Sequence, residues 1–189
     1  MPLLMMKDLP RYECLLEAAS LFPDLDPSAC EVFLQLLRTG DEVFGVESTY
    51  LASKGISQGR FTVLMLLTRP GREMECDELI SNPADLADRA GVTRATMTGL
   101  IDTLVKDGFV RREPAPNDRR MISVSLTEAG QELMSRVLPG YFRRVAQMMK
   151  RLSEEERRTM VQLLVKIQQG LAADAAPVVG QTSSPAGKA

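Results

Sequence analysis

The stretch "DLADRAGVTRATMTGLIDTL", Asp85 to Leu104, decides the fold. Leu86, Ala90 and Val92, then Met97, Leu100, Ile101 and Leu104, recur at helical spacing on either side of Gly91. Ala87 is small where two helices must approach closely. Gly91 stands where a tight turn often needs positive φ. Asn82-Pro83 ahead of the stretch offers a cap and a first-position proline, Thr93 can cap the second helix, and Gly108 can close it. The spacing predicts a helix-turn-helix. Its second helix opens with small polar or basic residues, Thr93, Arg94, Thr96 and Thr98, which can enter a major groove without clashing and bond phosphates or base edges. Any packed helix pair can imitate this pattern, so the stretch alone leaves DNA reading and plain packing both open.

The following residues weigh on that choice. "FVRRE" (109–113) and "MISVSL" (121–126) read as two strands of a hairpin, with Val110, Ile122, Val124 and Leu126 expected to anchor it to the core. "PAPNDRR" (114–120) forms the projecting tip. There Arg119 and Arg120 can reach a narrow minor groove, and Asp118 can orient a neighbouring arginine through a charge-assisted hydrogen bond. Between Arg89 and Arg120 lie seven basic and four acidic residues, so this segment carries +3 in a chain of net charge −2, leaving −5 elsewhere. A basic island on an acidic body suits local phosphate contact, although charge count alone favours a solvated face.

Outward from this centre the chain reads as mostly α with one small β-hairpin wing. "PRYECLLEAASLF" (10–22) is a short helix closed by Pro23. A long helix follows, with Ser28 and Glu31 at capping-box spacing and Gly55 as its stop. "SQGRFTVLMLLTR" (57–69) is expected to be a buried helix, and "EMECDELISN" (73–82) a loop with a single turn. Two further long helices begin at Thr127 and Ser153, the second with a Ser153–Glu156 capping box. The Ala/Pro/Gly/Ser-rich tail from about Ala172 is expected to be disordered. The organisation is thus an N-terminal extension (1–27), a winged-helix domain (28–171) and a tail (172–189).

The 189 residues, 44% hydrophobic and 25% charged, describe an ordinary globular composition able to bury a core. No apolar run approaches membrane-spanning length, and the N-terminus lacks a basic n-region and cleavage site. Cys14, Cys30 and Cys76 are odd in number and widely spaced, which argues for a reducing, cytoplasmic compartment. There is no histidine, no C-x-x-C pair and no phosphate-binding or nucleophile-elbow motif. An enzyme is therefore disfavoured, and no metal or cofactor is expected.

Taken together, "LADRAGVTRATMTGLIDTLVKDGFVRREPAPNDRRMISVSLTEAG" (86–130) resembles the winged helix-turn-helix of the MarR family of bacterial transcription regulators, with "NDRR" followed by "SLTEAG" as its most specific mark. The helical order from about Ser28 to Leu171 fits as well. The resemblance implies a homodimer held by long helices at about 28–55 and 127–171, with a DNA-binding lobe at about 57–126. Each subunit would place its recognition helix in the major groove, and its wing in the minor groove, of a palindromic operator. Thr93, Arg94, Thr96 and Thr98 become major-groove and phosphate contacts. Arg119 and Arg120 become wing contacts supported by Asp118. Gly99 departs from the larger polar residue that many relatives carry.

The resemblance also implies repression released by a small aromatic or phenolic ligand, with Arg38, Phe44, Arg60 and Phe61 as pocket candidates by location, beside their plainer roles in packing and ion pairing. Cys30, near a helix start where a thiol pKa can fall, matches the position of the reactive cysteine in a hydroperoxide-sensing branch. That branch holds its cysteine with tyrosines, whereas "ISQGRF" (56–61) has none, which favours a packing role for Cys30. The alternatives to a ligand-released repressor are therefore a redox-sensing regulator and a winged-helix interaction module that binds no DNA.

Overall fold

The computed structural model describes residues 8–68, 82–114 and 121–174. The chain divides into two compact units, 1–141 and 142–189. The first contains α1 (Tyr12–Leu21), α2 (Pro27–Ala52), α3 (Gln58–Leu67), α4 (Pro83–Ala90), α5 (Arg94–Lys106), the hairpin β1 (Val110–Pro114) and β2 (Ile122–Leu126), and α6 (Glu128–Met149) as far as Tyr141. The expected loop at 73–82, with Cys76, lies outside the described residues except for Asn82.

Helix α1 packs on α2. Helix α2 is capped two residues before the Ser28 cap expected from sequence. Its N-cap is Asp26, whose carboxylate accepts from the Ser28 and Ala29 backbone N–H groups at 2.9 and 3.1 Å. Pro27 decides the matter. It suits the first helical position and drives the residue before it into the extended conformation that an N-cap requires. The Ala29 N–H, with the Ser28 hydroxyl, holds the Asp26 carboxyl below its usual range. At the other end Gly55, at φ 72°, lets the chain reverse so that the Ile56 N–H donates to the Leu51 carbonyl at 3.0 Å and Ile56 turns into the core.

Helix α3 is buried as expected, with Phe61, Val63, Leu64 and Leu67 in the core. Met97, Ile101 and Leu104 of α5 meet Leu86 and Ala87 of α4 in the same core, and Val110 and Val124 bring the hairpin onto it. The strands pair antiparallel with Val110 opposite Leu126, Arg112 opposite Val124 and Pro114 opposite Ile122. Ile122 was expected among the hairpin's anchors, but it is half exposed. It shares the strand parity of Val124, yet two residues, about 7 Å, carry it toward the tip and beyond the core.

The base of the hairpin is locked to α6 by Thr127. Its backbone N–H donates to the Phe109 carbonyl at 3.1 Å, and its hydroxyl donates to the Gly108 carbonyl at 2.6 Å while accepting the Gly130 N–H at 3.1 Å. Gly130 lies so close that a Cβ there would overlap the Phe109 carbonyl oxygen. Farther along α6, Gly140 admits the Tyr50 ring, whose hydroxyl donates to the Val137 carbonyl at 2.7 Å.

The second unit holds the end of α6 and helix α7 (Glu154–Asp174). The expected capping box is present: the Ser153 N–H donates to Glu156 at 2.7 Å, and the Glu156 N–H to the Ser153 hydroxyl at 3.2 Å. Helix α7 continues past Ala172 to Asp174; the remainder of the expected disordered tail lies outside the described residues. Met160, Val161, Leu163, Val165, Ile167 and Leu171 are all exposed along it.

Two glycine substitutions check this packing by chemical denaturation. Gly130→Ala is expected to destabilise by about 1–3 kcal/mol or more, the usual cost of overpacking, because the obstruction is backbone. Gly99→Ala, where an added Cβ meets nothing within 4 Å, is expected to stabilise the helix by about 0.5–1 kcal/mol.

Candidate nucleic-acid interface

Local chemistry aims the second helix of the pair outward. Asn82 caps α4: its side-chain oxygen accepts the Asp85 N–H at 2.9 Å while its amide donates to the Asp85 carboxylate at 2.6 Å. Gly91, at φ 64°, ends α4 in the left-handed region, and the Val92 N–H closes back on the Ala87 carbonyl at 3.1 Å. Thr93 then caps α5, accepting the Thr96 N–H at 3.1 Å. With Met97, Ile101 and Leu104 turned into the core, Thr93, Arg94, Thr96 and Thr98 all come out exposed on one end of α5, together with Ala95 and Gly99.

Three of these hydroxyls also have local duties. Thr93 contacts the Thr96 hydroxyl at 2.9 Å, and Thr98 donates to the Arg94 carbonyl at 2.8 Å. Thr98 keeps its lone pairs for an incoming donor, but the orientation of all three is set by the helix itself.

The hairpin brings two arginines that sequence reasoning missed. Arg112 pairs with Asp102 of α5 at 2.6 Å, joining wing and helix across the exposed side. Arg111 lies 3.1 Å from both Glu113 and the Ser125 hydroxyl it donates to. Both are legible only once the strand register is known. Asp118, Arg119 and Arg120 lie outside the described residues.

The four pocket candidates do not converge. Arg38 pairs with Glu42 one turn along α2 at 2.6 Å, and Phe44 is exposed on the same helix. Arg60 pairs with Asp107 at the end of α5. Phe61 alone lines a cavity of about 370 Å³, with Glu47, Gln58, Thr62, Met65, Leu66, Thr68, Arg89 and Tyr141. The Phe61 and Tyr141 rings lie 4.8 Å apart, and the Tyr141 hydroxyl donates to the Glu47 carboxylate. Burial, reinforced by that bond to Glu47, pushes the Tyr141 phenol up to about 12. Glu47 and Tyr141 are 94 positions apart, a contact that no local pattern reveals. Cys30 is half-buried and Cys14 exposed, both as free thiols. Among the described residues no group of His, Cys, Asp or Glu could hold a metal ion, and no helix is long and apolar enough to cross a membrane.

A capped helix pair with an outward second helix, followed by a hairpin docked beside it, defines a winged helix-turn-helix protein. The MarR family model matches residues 56–122. The HTH-type transcriptional repressor YetL of Bacillus subtilis is 36% identical over 159 residues, covering 84% of this chain and 92% of the repressor. The chain belongs to the MarR family of transcriptional regulators. Among solved structures, the repressor CouR bound to a 23-mer DNA duplex is 25% identical, with a TM-score of 0.58 over 71% of this chain and 90% of its own. A DNA complex of Staphylococcus aureus MepR shares the fold at 20% identity, with a TM-score of 0.62 over 73% of this chain and 94% of its own.

The cavity wall yields a titration test. Tyr141 is held protonated in the fold, with its pKa raised from 10.0 to about 12. Its stabilising contribution is therefore fully present below pH 10 and lost as pH rises toward 12. Tyr141→Phe is expected to remove a phenolate step near pH 12 from an absorbance titration and to lower stability at neutral pH by about 1–2 kcal/mol.

Proposed function

We propose that this chain is a homodimeric, sequence-specific DNA-binding repressor that reads a palindromic operator and is released by a small ligand. The observation that carries the reading is the outward end of α5, where Thr93, Arg94, Thr96 and Thr98 are exposed while the helix's opposite side is buried. The helix N-terminus lies at that end, so its dipole and the Arg94 charge favour phosphate. Ala95 and Gly99 leave the middle of the face bare, which suits close approach of the helix backbone to the groove. The wing follows, with Arg119 and Arg120 contacting the minor groove and Asp118 steadying them. CouR, caught on a duplex, supports this use of the fold.

The dimer is supported by apolar side chains that a single chain leaves in water. Val32, Phe33, Leu36, Phe44 and Val46 of α2 are exposed, and so are six residues of α7. Patches of this kind mark association surfaces. A two-fold pair sets its recognition helices about 34 Å apart, one helical turn of DNA, and so matches a palindrome.

For the effector, the Phe61–Tyr141 cavity has a volume within the usual range for small-molecule sites. It offers aromatic walls with Glu47, Gln58 and Arg89 as polar groups, which suits an aromatic ligand carrying hydrogen-bonding substituents. A ligand that binds better to a conformer with mis-spaced recognition helices lowers DNA affinity by population shift.

The double variant Arg119→Ala, Arg120→Ala tests the DNA-reading model in fluorescence-anisotropy titrations across salt concentrations. It is expected to bind more weakly, with a log–log salt slope shallower by about 2, one for each cation withdrawn from the DNA. Unchanged affinity and slope would remove the wing from the mechanism.

A further inference from the structure

The first turns of α3 carry two contrasting faces. Gln58, Phe61 and Thr62 line the cavity with Glu47 and Tyr141. Gly59 and Arg60 face α5 instead. A Cβ on Gly59 would come within 3.1 Å of the Leu100 side chain, so the two helices are already close there. Arg60 spans the same junction and pairs with Asp107, the residue that closes α5.

The two partners are unequal. The Arg60 side chain is only 17% exposed, against 38% for Asp107. The Arg60 Nε is buried without a hydrogen-bond partner among the described residues. A guanidinium so withdrawn from water depends on its counter-charge. Asp107, for its part, places a carboxylate at a helix C-terminus, where the macrodipole disfavours negative charge. Each residue sits badly alone, and each is compensated by the other. The pair also spans two elements, so it fixes a direction that neither helix sets by itself.

We propose that Arg60 is a positioning residue for DNA recognition, setting the pose of the recognition helix α5 on the cavity-lining helix α3 through Asp107. This rests on the reading of α5 as the DNA-reading helix. It assigns Arg60 to the joint between cavity and reader, apart from the cavity lining where sequence location had put it.

The test uses the full chain and a duplex that it selects from a random-sequence library, alongside an unrelated duplex of equal length. The variants are Asp107→Asn, Arg60→Asp, and the exchange Arg60→Asp with Asp107→Arg, each also followed by thermal unfolding. Asp107→Asn removes a negative charge, which by general electrostatics would strengthen binding to any DNA. The expected result is the opposite on the selected duplex: affinity about tenfold weaker, within the range for coupled neighbours. Affinity for the unrelated duplex should be unchanged or higher, and the exchanged pair should recover the loss. Asp107→Asn carries the test if Arg60→Asp does not fold. The proposal is overturned if Asp107→Asn binds the selected duplex as the parent does, or if it weakens both duplexes alike. It is also overturned if the exchange regains the parent's melting temperature without its affinity. If the parent selects no sequence at all, the DNA-reading function itself falls and takes this proposal with it, a result distinct from any of the others.

Discussion

The Phe109 carbonyl and the two residues that crowd it, Thr127 and Gly130, form the junction on which the reading lobe depends. Thr127 closes the end of the helix-turn-helix by bonding the Gly108 and Phe109 carbonyls, and its hydroxyl also caps α6. Gly130 lets α6 come close enough for this to happen. One threonine thus connects recognition helix, wing base and long helix within a single turn of chain. The "SLTEAG" mark of the sequence gains a physical meaning: the threonine supplies the bonds and the glycine the space. A hairpin hinged loosely at this point could not keep a fixed position beside α5.

Electrostatics around the reading face follow the same economy. Arg112 is tied to Asp102, Arg111 to Glu113, and Arg60 to Asp107. The more exposed Arg111 and Arg112 pairs contribute little stability, about 0–1 kcal/mol each. Their larger effect is on direction, since each holds a long side chain in one place. With a net charge of −2, the molecule as a whole offers DNA little diffuse attraction.

How legible all this was depended on the range of the interaction. Caps and turns are local chemistry: Asn82-Pro83, Gly91, Thr93, Gly108 and the Ser153–Glu156 box stand where the sequence placed them. Ser28 failed as a cap because Pro27 fixes the helix start two residues earlier, with Asp26 as the cap. Ile122 failed as an anchor because strand parity states which face a residue takes but not how far along the hairpin the core extends. The outward polar residues of α5 were legible from periodicity, since burying Met97, Ile101 and Leu104 leaves the others no alternative. Pairings between elements were not legible. Glu47 with Tyr141, Asp102 with Arg112 and Arg60 with Asp107 each need the tertiary fold before they exist at all.

The most direct measurement is binding of the purified full chain to the duplex flanking its own gene, titrated at two salt concentrations with unrelated DNA as competitor. The account predicts retention of that duplex against excess competitor, saturation at two chains per palindrome, and weakening as salt rises. Equal and weak affinity for both DNAs, with no defined stoichiometry, would contradict it and turn attention to the winged-helix fold as a protein-interaction module.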